Sequence, residues 1–276
     1  MNSKPATAVS PVQLATVFNA AFTNYIGNEV NFTENSVVTW CADNYVSLEL
    51  SHIFFPSPDS TEPVAFGLIA IRDDKPKESR LAGMGVVPTY RGKGTGYQVL
   101  EMIISAERKR GICVLELECI RQNEPALRLY KRVGFSVLRE LVGWEKDMTS
   151  VTETRLVAGL TTCTIEELDK LVKMHGATDL SWQAWGFSRL PGTERVFKLG
   201  HAYCAISNPD NVEDDKIKMT SLFVEPEWRG KGEARRLAEA MIAKYPGKIW
   251  VSVSNEIEFG LTSLERRMGR VPEEEL

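Results

Sequence analysis

Val86-Val87-Pro88-Thr89-Tyr90-Arg91-Gly92-Lys93-Gly94-Thr95-Gly96 runs directly into a helical pattern. A strand of small and apolar residues, Leu81 to Val87, stops at a proline, and a turn then sets two basic side chains among three glycines. Beyond it, Val99, Met102, Ile103 and Ala106 recur at the spacing of one helix face. Strand, glycine turn and helix in that order make an anion site. The first turn of a helix has N–H groups without intrahelical partners and the positive end of the dipole, and glycine lets an anion come close to the backbone. A pyrophosphate is the anion such a turn suits.

Two common phosphate loops fail to fit. The nucleoside-triphosphate loop needs Gly-x4-Gly-Lys-Ser/Thr, whereas Gly94 follows Gly92-Lys93 and Val87 stands where the leading glycine should be. The dinucleotide fingerprint needs Gly-x-Gly-x-x-Gly, but Tyr97 takes the place of the third glycine. What remains, Arg-x-x-Gly-x-Gly after a Val-Val-Pro strand end, resembles the acetyl-coenzyme A loop of the GCN5-related N-acetyltransferases, the GNAT family. A tight strand-to-helix turn without a ligand is the plainer alternative.

A second constellation follows the loop. The strand pattern Ile112 to Ile120 puts Cys113, Leu115, Leu117 and Cys119 on one face and Glu116 and Glu118 on the other. Asn123 and Tyr130 come next, within Asn123-x-x-Ala126-x-x-Leu129-Tyr130-x-x-x-Gly134-Phe135. The Glu118, Asn123, Tyr130 spacing is similar to the Glu-x4-Asn-x6-Tyr pattern of the protein N-terminal acetyltransferase branch of the family. The resemblance implies acetyl transfer from acetyl-CoA to a primary amine of a small molecule or peptide, by direct attack in a ternary complex. It implies Tyr130 as the acid that protonates the leaving thiolate. The chemistry also needs a base to deprotonate the ammonium, and Glu118 is the candidate, since members of the family take that base from different strands or do without one. It also implies that Arg91, Gly92, Lys93, Gly94, Thr95 and Gly96 hold the pyrophosphate, Val86 and Val87 pair with the pantetheine arm, and Asn123 contacts the cofactor. Each residue has a plainer role beside that one: Asn123 as a helix N-cap, Tyr130 as packing, Glu118 as a structural carboxylate with Glu116 as the substitute base, Lys93 as a solvated cation and Arg91 as a brace for the loop. A non-catalytic acetyl-CoA sensor or scaffold is the alternative function.

The chain then starts again. Val224 to Ala234 repeats Val86 to Gly96 at one constant offset, keeping Val, Pro, Arg, Gly, Lys and Gly, with Trp228 at the place of Tyr90 and Ala234 at that of Gly96. The matched elements around both loops predict an internal repeat. The expected fold is mixed α/β, two tandem acyl-CoA N-acyltransferase (GNAT) domains, each a mixed, mostly antiparallel sheet flanked by helices. The expected domains are 1–147, catalytic, and 148–276, degenerate. Strands near Ser136 to Leu141 and Gly143 to Asp147 are expected to close the first, and Ser181 to Ser188 to form a helix in the second. The last helix of the second half is expected to carry Ile257, Leu261, Leu264 and Met268. On that reading Trp250 stands at the place of Glu118 and Glu265 at that of Tyr130, so the second half is non-catalytic while keeping a loop able to bind coenzyme A.

Bulk properties narrow the rest. The 276 residues carry a formal charge of −4, which argues against a nucleic-acid partner bound through a basic face. The longest apolar run, Val64 to Ile71, is too short to span a bilayer, and no signal core follows Met1, so a cytoplasmic protein with no membrane partner is expected. Five cysteines without a Cys-x-x-Cys pair read as free thiols, and three scattered histidines give no metal spacing. No metal is expected. The partners are acetyl-CoA and an amine, with Phe22, Tyr25, Glu29 and Trp40 as candidate acceptor contacts; the sequence specifies no oligomeric state.

Overall fold

The structure, a computed structural model, describes residues 1–26, 30–73, 75–141, 144–151, 153, 156–175, 194–207, 209, 215–252 and 261–268. The described elements run β1 (Asn2–Pro5), α1 (Pro11–Ala21), α2 (Glu34–Asp43), β2 (Val46–Phe55), β3 (Ala65–Ile71), β4 (Glu78–Val86), α3 (Thr95–Lys109), β5 (Val114–Ile120), α4 (Glu124–Arg132) and β6 (Ser136–Leu141). They continue with β7 (Trp144–Asp147), β8 (Thr161–Cys163), α5 (Ile165–Met174), β9 (Glu194–Leu199), β10 (Ala202–Ser207), β11 (Lys216–Val224), α6 (Glu233–Lys244), β12 (Ile249–Ser252) and β13 (Leu261–Arg267). The chain divides into two compact units, Met1–Glu140 together with the segment from Leu261, and Leu141–Gly260.

In the first unit seven strands lie in the order β1-β2-β3-β4-β5-β13-β6. β4 and β5 are parallel, and the pairs β1–β2, β2–β3, β3–β4 and β5–β13 are antiparallel. One face carries α3 and α4 over Phe54, Leu81, Leu115 and Leu117; the other carries α1 and α2 over Ile53, Phe55, Phe66 and Leu68. Alternation along the strands sends side chains to both layers, and each fully buried large apolar side chain contributes about 1.5–3 kcal/mol. Local signals set the helix starts. Ser10 and Gln13 form a capping box on α1, and Thr33 and Ser36 form one on α2. Asn19 ties the two helices by bonding both the N–H and the carbonyl of Phe32, at 2.8 and 2.9 Å.

In the second unit the order is β7-β12-β11-β10-β9-β8, with β11–β12 parallel and the other pairs antiparallel. Its core is Phe197, Cys204, Ile206, Ile217, Leu237, Met241 and Trp250, with α6 on that face. Two mixed sheets flanked by helices are the tandem architecture the repeat implies.

The strands cross the expected boundary in both directions. Trp144–Asp147 does not close the first sheet; it pairs with β12 in the second. Leu261–Arg267 is not part of a last helix of the second half; it is a strand paired with β5, Leu261 opposite Ile120 and Arg267 opposite Val114. Division at residue 147 would therefore remove a strand from the first sheet. Glu265 lies opposite Glu116 in that register, so it is not the counterpart of Tyr130. Residues 29, 181–188, 255 and 257 lie outside the described residues, so the readings of Glu29, of the second-unit helix and of Ile257 fall there.

Candidate functional site

β4 and β5 part in the middle of the first sheet. Their parallel pairing runs from Glu78 opposite Val114 to Leu81 opposite Leu117 and stops, although β4 goes on to Val86 and β5 to Ile120. The open edge of β4 has a readable polarity. Val87 donates its N–H to the Val64 carbonyl at 2.9 Å, on the β3 side. In an antiparallel ladder the direction alternates, so the main chain of Met84 and Val86 points toward the gap. Of the two residues expected to meet an extended pantetheine, Val86 faces the gap, whereas Val87 is engaged with β3.

At the end of the gap lies the glycine turn. Gly92 and Gly94 have φ of 72° and 80°, left-handed backbone that glycine adopts without a Cβ penalty. The Arg91 N–H is bonded to the Pro88 carbonyl at 3.1 Å, and the first helical bond runs from Gln98 to the Gly94 carbonyl at 3.1 Å. Between them, residues 92–97 have no backbone N–H with a backbone acceptor among the described residues. This array lies one residue later than the sequence suggested and coincides with the N-terminus of α3. The Arg91 side chain is the brace: Nε donates to the Val86 carbonyl at 2.9 Å and Nη2 to the Ala21 carbonyl at 2.6 Å. Gly85 permits this approach, because a Cβ there would stand 2.6 Å from that of Ala21. Lys93 is exposed, its Nζ 5.6 Å from the centre of the Tyr90 ring. Thr95 is buried at the first turn of α3, and a Cβ on Gly96 would come 2.9 Å from Leu129, so the bare backbone lets α4 lie against the loop.

Asn123 caps α4: its Oδ1 accepts the Ala126 N–H at 3.3 Å. Tyr130, on the same helix, is half-buried against the α3 and α4 layer, with the Phe135 ring 5.9 Å away. Burial pushes its phenol above the ordinary value, and the neighbouring Cys119 thiol and Tyr25 phenol push the same way. Cys119 is itself pushed up to about 12 by burial. At neutral pH both hold their protons. Glu118 occupies the first row of β5 past the last β4 pair, on the opposite face. Its Oε2 lies 2.5 Å from Arg80 Nη2, and the two side chains are 5% and 9% exposed. Glu116 shares that face half-buried; burial raises its carboxyl, Lys75 and Arg139 oppose the rise, and Glu78 and Glu118 add to it. The structure thus brings the loop and Val86 to the end of the gap and sets α4, which carries Tyr130 and is capped by Asn123, against the loop through Leu129 and Gly96. It adds Arg80 and the main chain of Met84, which no local motif singled out, and it sets Tyr25, one of the expected acceptor contacts, near Tyr130; a lone arginine within the apolar β4 pattern was the available sign of Arg80.

An open row of N–H groups beside parted strands, next to a protonated phenol, can bind a diphosphate with an extended arm and deliver a proton at the far end. Residues 17–135 match the model of the Acetyltransferase (GNAT) family. The chain carries a GNAT domain. Mycothiol acetyltransferase of Propionibacterium freudenreichii is 33% identical over 76 residues, 28% of this chain and 24% of that protein. N-alpha-acetyltransferase 30 of Saccharomyces cerevisiae is 28% identical over 97 residues, 34% of this chain and 55% of that protein. The matched segments span between about a quarter and about half of the length of these relatives. A GCN5-related N-acetyltransferase from Sphaerobacter thermophilus superposes with a TM-score of 0.66 over 98% of this chain and 96% of its own, at 12% identity. That likeness is one of fold, and it extends the GNAT architecture over both units. Among the described residues no group of three His, Cys, Asp or Glu gathers as a metal site, and no helix is long and apolar enough to cross a membrane.

Proposed function

We propose that the chain transfers the acetyl group of acetyl-CoA to a primary amine of a small molecule or peptide, by direct attack in a ternary complex in the first unit. The observation that carries this reading is the parting of β4 and β5 past Leu81 and Leu117, with the unspent N–H groups of residues 92–97 at its end. The residues fit the co-substrate: the helix start takes the diphosphate, and the edge at Met84 and the Val86 N–H pairs with the amide-bearing arm, the Val86 carbonyl being held by Arg91. Acetyl-CoA supplies the activated acyl group. The chain aligns it with the amine, which accounts for much of the rate in reactions of this kind.

Tyr130 gives its hydroxyl proton to the departing thiolate, and burial keeps the phenol protonated until that charge develops. The amine starts as an ammonium with a pKa of about 10 and must lose a proton before attack. Glu118 takes it, at the face of the gap opposite α4; its ion pair with Arg80 fixes the carboxylate there, and Glu116 is the second candidate. The Cys119 thiol, protonated and buried, favours direct attack over an acyl-cysteine relay.

Release of free thiol from acetyl-CoA, measured across a panel of amines, tests the reading. The expected result is amine-dependent release by the full chain, slowed about 100-fold by Tyr130→Phe with acetyl-CoA binding kept. Binding without release for every amine would favour the sensor or scaffold alternative, and unchanged turnover in Tyr130→Phe would remove the phenol from the chemistry.

A further inference from the structure

The second unit repeats the backbone of the first loop. Pro226–Trp228 turns as Pro88–Tyr90 does. Arg229 Nε donates to the Val224 carbonyl at 3.1 Å, as Arg91 does to Val86 at 2.9 Å. Gly230 and Gly232 have φ of 74° and 83°, and the first helical bond again runs from the fourth residue, Arg236, to the Gly232 carbonyl at 3.0 Å. The basic residues are also kept, Arg229 for Arg91 and Lys231 for Lys93. By backbone and basic charge alone the second loop should bind what the first binds.

Five side chains differ: Trp228 replaces Tyr90 and Ala234 replaces Gly96, and the other three all differ in the same sense. Where the first loop has Val87, Thr89 and Thr95, the second has Glu225, Glu227 and Glu233. Glu233 opens α6 and is 6% exposed. Its Oε2 accepts the His201 N–H at 3.2 Å and its Oε1 meets Arg236 Nη2 at 3.0 Å. It thus sets a fixed negative charge at the positive end of the helix, where a bound anion would gain most. Glu225 bonds His201 Nδ1 and the Tyr203 hydroxyl, each at 2.9 Å. Burial works against its ionisation, but the bonds from His201 and Tyr203 outweigh that and hold the carboxyl below its ordinary value. Glu227 is exposed on the turn itself.

We propose that these three carboxylates take the second loop out of diphosphate binding, so that the chain holds one coenzyme A, in the first unit. The proposal rests on the reading of the first loop given above. Glu233 acts as a resident anion for the helix start, and its bonds bind the loop to the beginning of β10. The helix field is spent on fold stability, and a diphosphate would meet three carboxylates that the first loop lacks.

Calorimetric titration of coenzyme A into the full chain tests this. One equivalent is expected. Lys93→Glu should weaken it at least tenfold, and Lys231→Glu, an equally exposed reversal, should leave affinity and stoichiometry unchanged. Thr95→Glu, which copies Glu233 into the first loop, should weaken binding at least tenfold more than Thr95→Gln, which has the same shape without the charge. Two equivalents, a loss of binding in Lys231→Glu, or equal effects of Thr95→Glu and Thr95→Gln would overturn the proposal. No binding by the unaltered chain would instead defeat the assignment of the first loop, and with it the contrast between the two.

Discussion

Tyr130 combines two properties that a proton donor to a thiolate needs. It stands on the helix that borders the gap, and its surroundings keep it protonated. On the opposite face the proposed proton acceptor is Glu118, with Glu116 as the second candidate, and single substitutions separate them. Glu118→Gln is expected to lower kcat by about 10- to 100-fold with acetyl-CoA binding kept, and Glu116→Gln to leave kcat near that of the parent. The reverse pattern would move the base to Glu116. Stability gives an independent reading of Glu116. Burial raises its carboxyl in the folded state, so the folded chain holds that proton more tightly than the unfolded chain. The resulting penalty sets in as pH rises from the unfolded pKa of about 4 and is complete above the folded value. Glu116→Gln should therefore raise Tm at pH 7, and the gain should vanish below about pH 4. A gain that is equal at both pH values would show that burial of the charge is not its source.

The helix α4, with Asn123 at its start and Tyr130 near its end, is held by an element from the far end of the chain. Arg266, on β13, donates to the Val133 carbonyl and lies against Gly134, whose φ is 89°. A cation that bonds the last carbonyls of a helix complements its dipole. Arg266→Ala should speed hydrogen exchange at the C-terminal end of α4 and lower Tm, whereas protection equal to that of the parent would mean that the contact contributes nothing. Gly134→Ala asks for left-handed backbone with a side chain, in space that Arg266 fills, and should cost about 1–3 kcal/mol in denaturant melts. Little of this was legible locally. Leu261, Leu264 and Met268 recur at intervals of three and four, which satisfies a helix face, and only the long-range pairing with β5 makes the segment a strand. Trp144–Asp147 misled in the same way, because two adjacent strand-like runs read as a hairpin. Elements closed by nearby residues were legible: Ser10 and Thr33 fixed their helix starts, and Gly92 and Gly94 the loop. The pairing of Arg80 with Glu118 was not, because strand register decides which side chains meet across a sheet.

At the scale of the whole chain, the repeat reads as two GNAT-like sheets, the first of which takes in β13 from the far end of the sequence. A chain ending at residue 147 would lack β13, leaving β5 and β6 without their shared neighbour and α4 without Arg266. It should therefore fold poorly and show no cooperative melt; a sharp melt near that of the full chain would show β13 to be dispensable. The halves are alike in loop backbone and unlike in charge, so the repeat gives one candidate cofactor site and one structural copy of it. The most direct measurement on the central claim is amide hydrogen exchange of the full chain with and without acetyl-CoA, resolved along the sequence. The account predicts slowed exchange at residues 92–97 and at Met84 and Val86, with no change at residues 230–235. Unchanged exchange at residues 92–97 under saturating acetyl-CoA would contradict it.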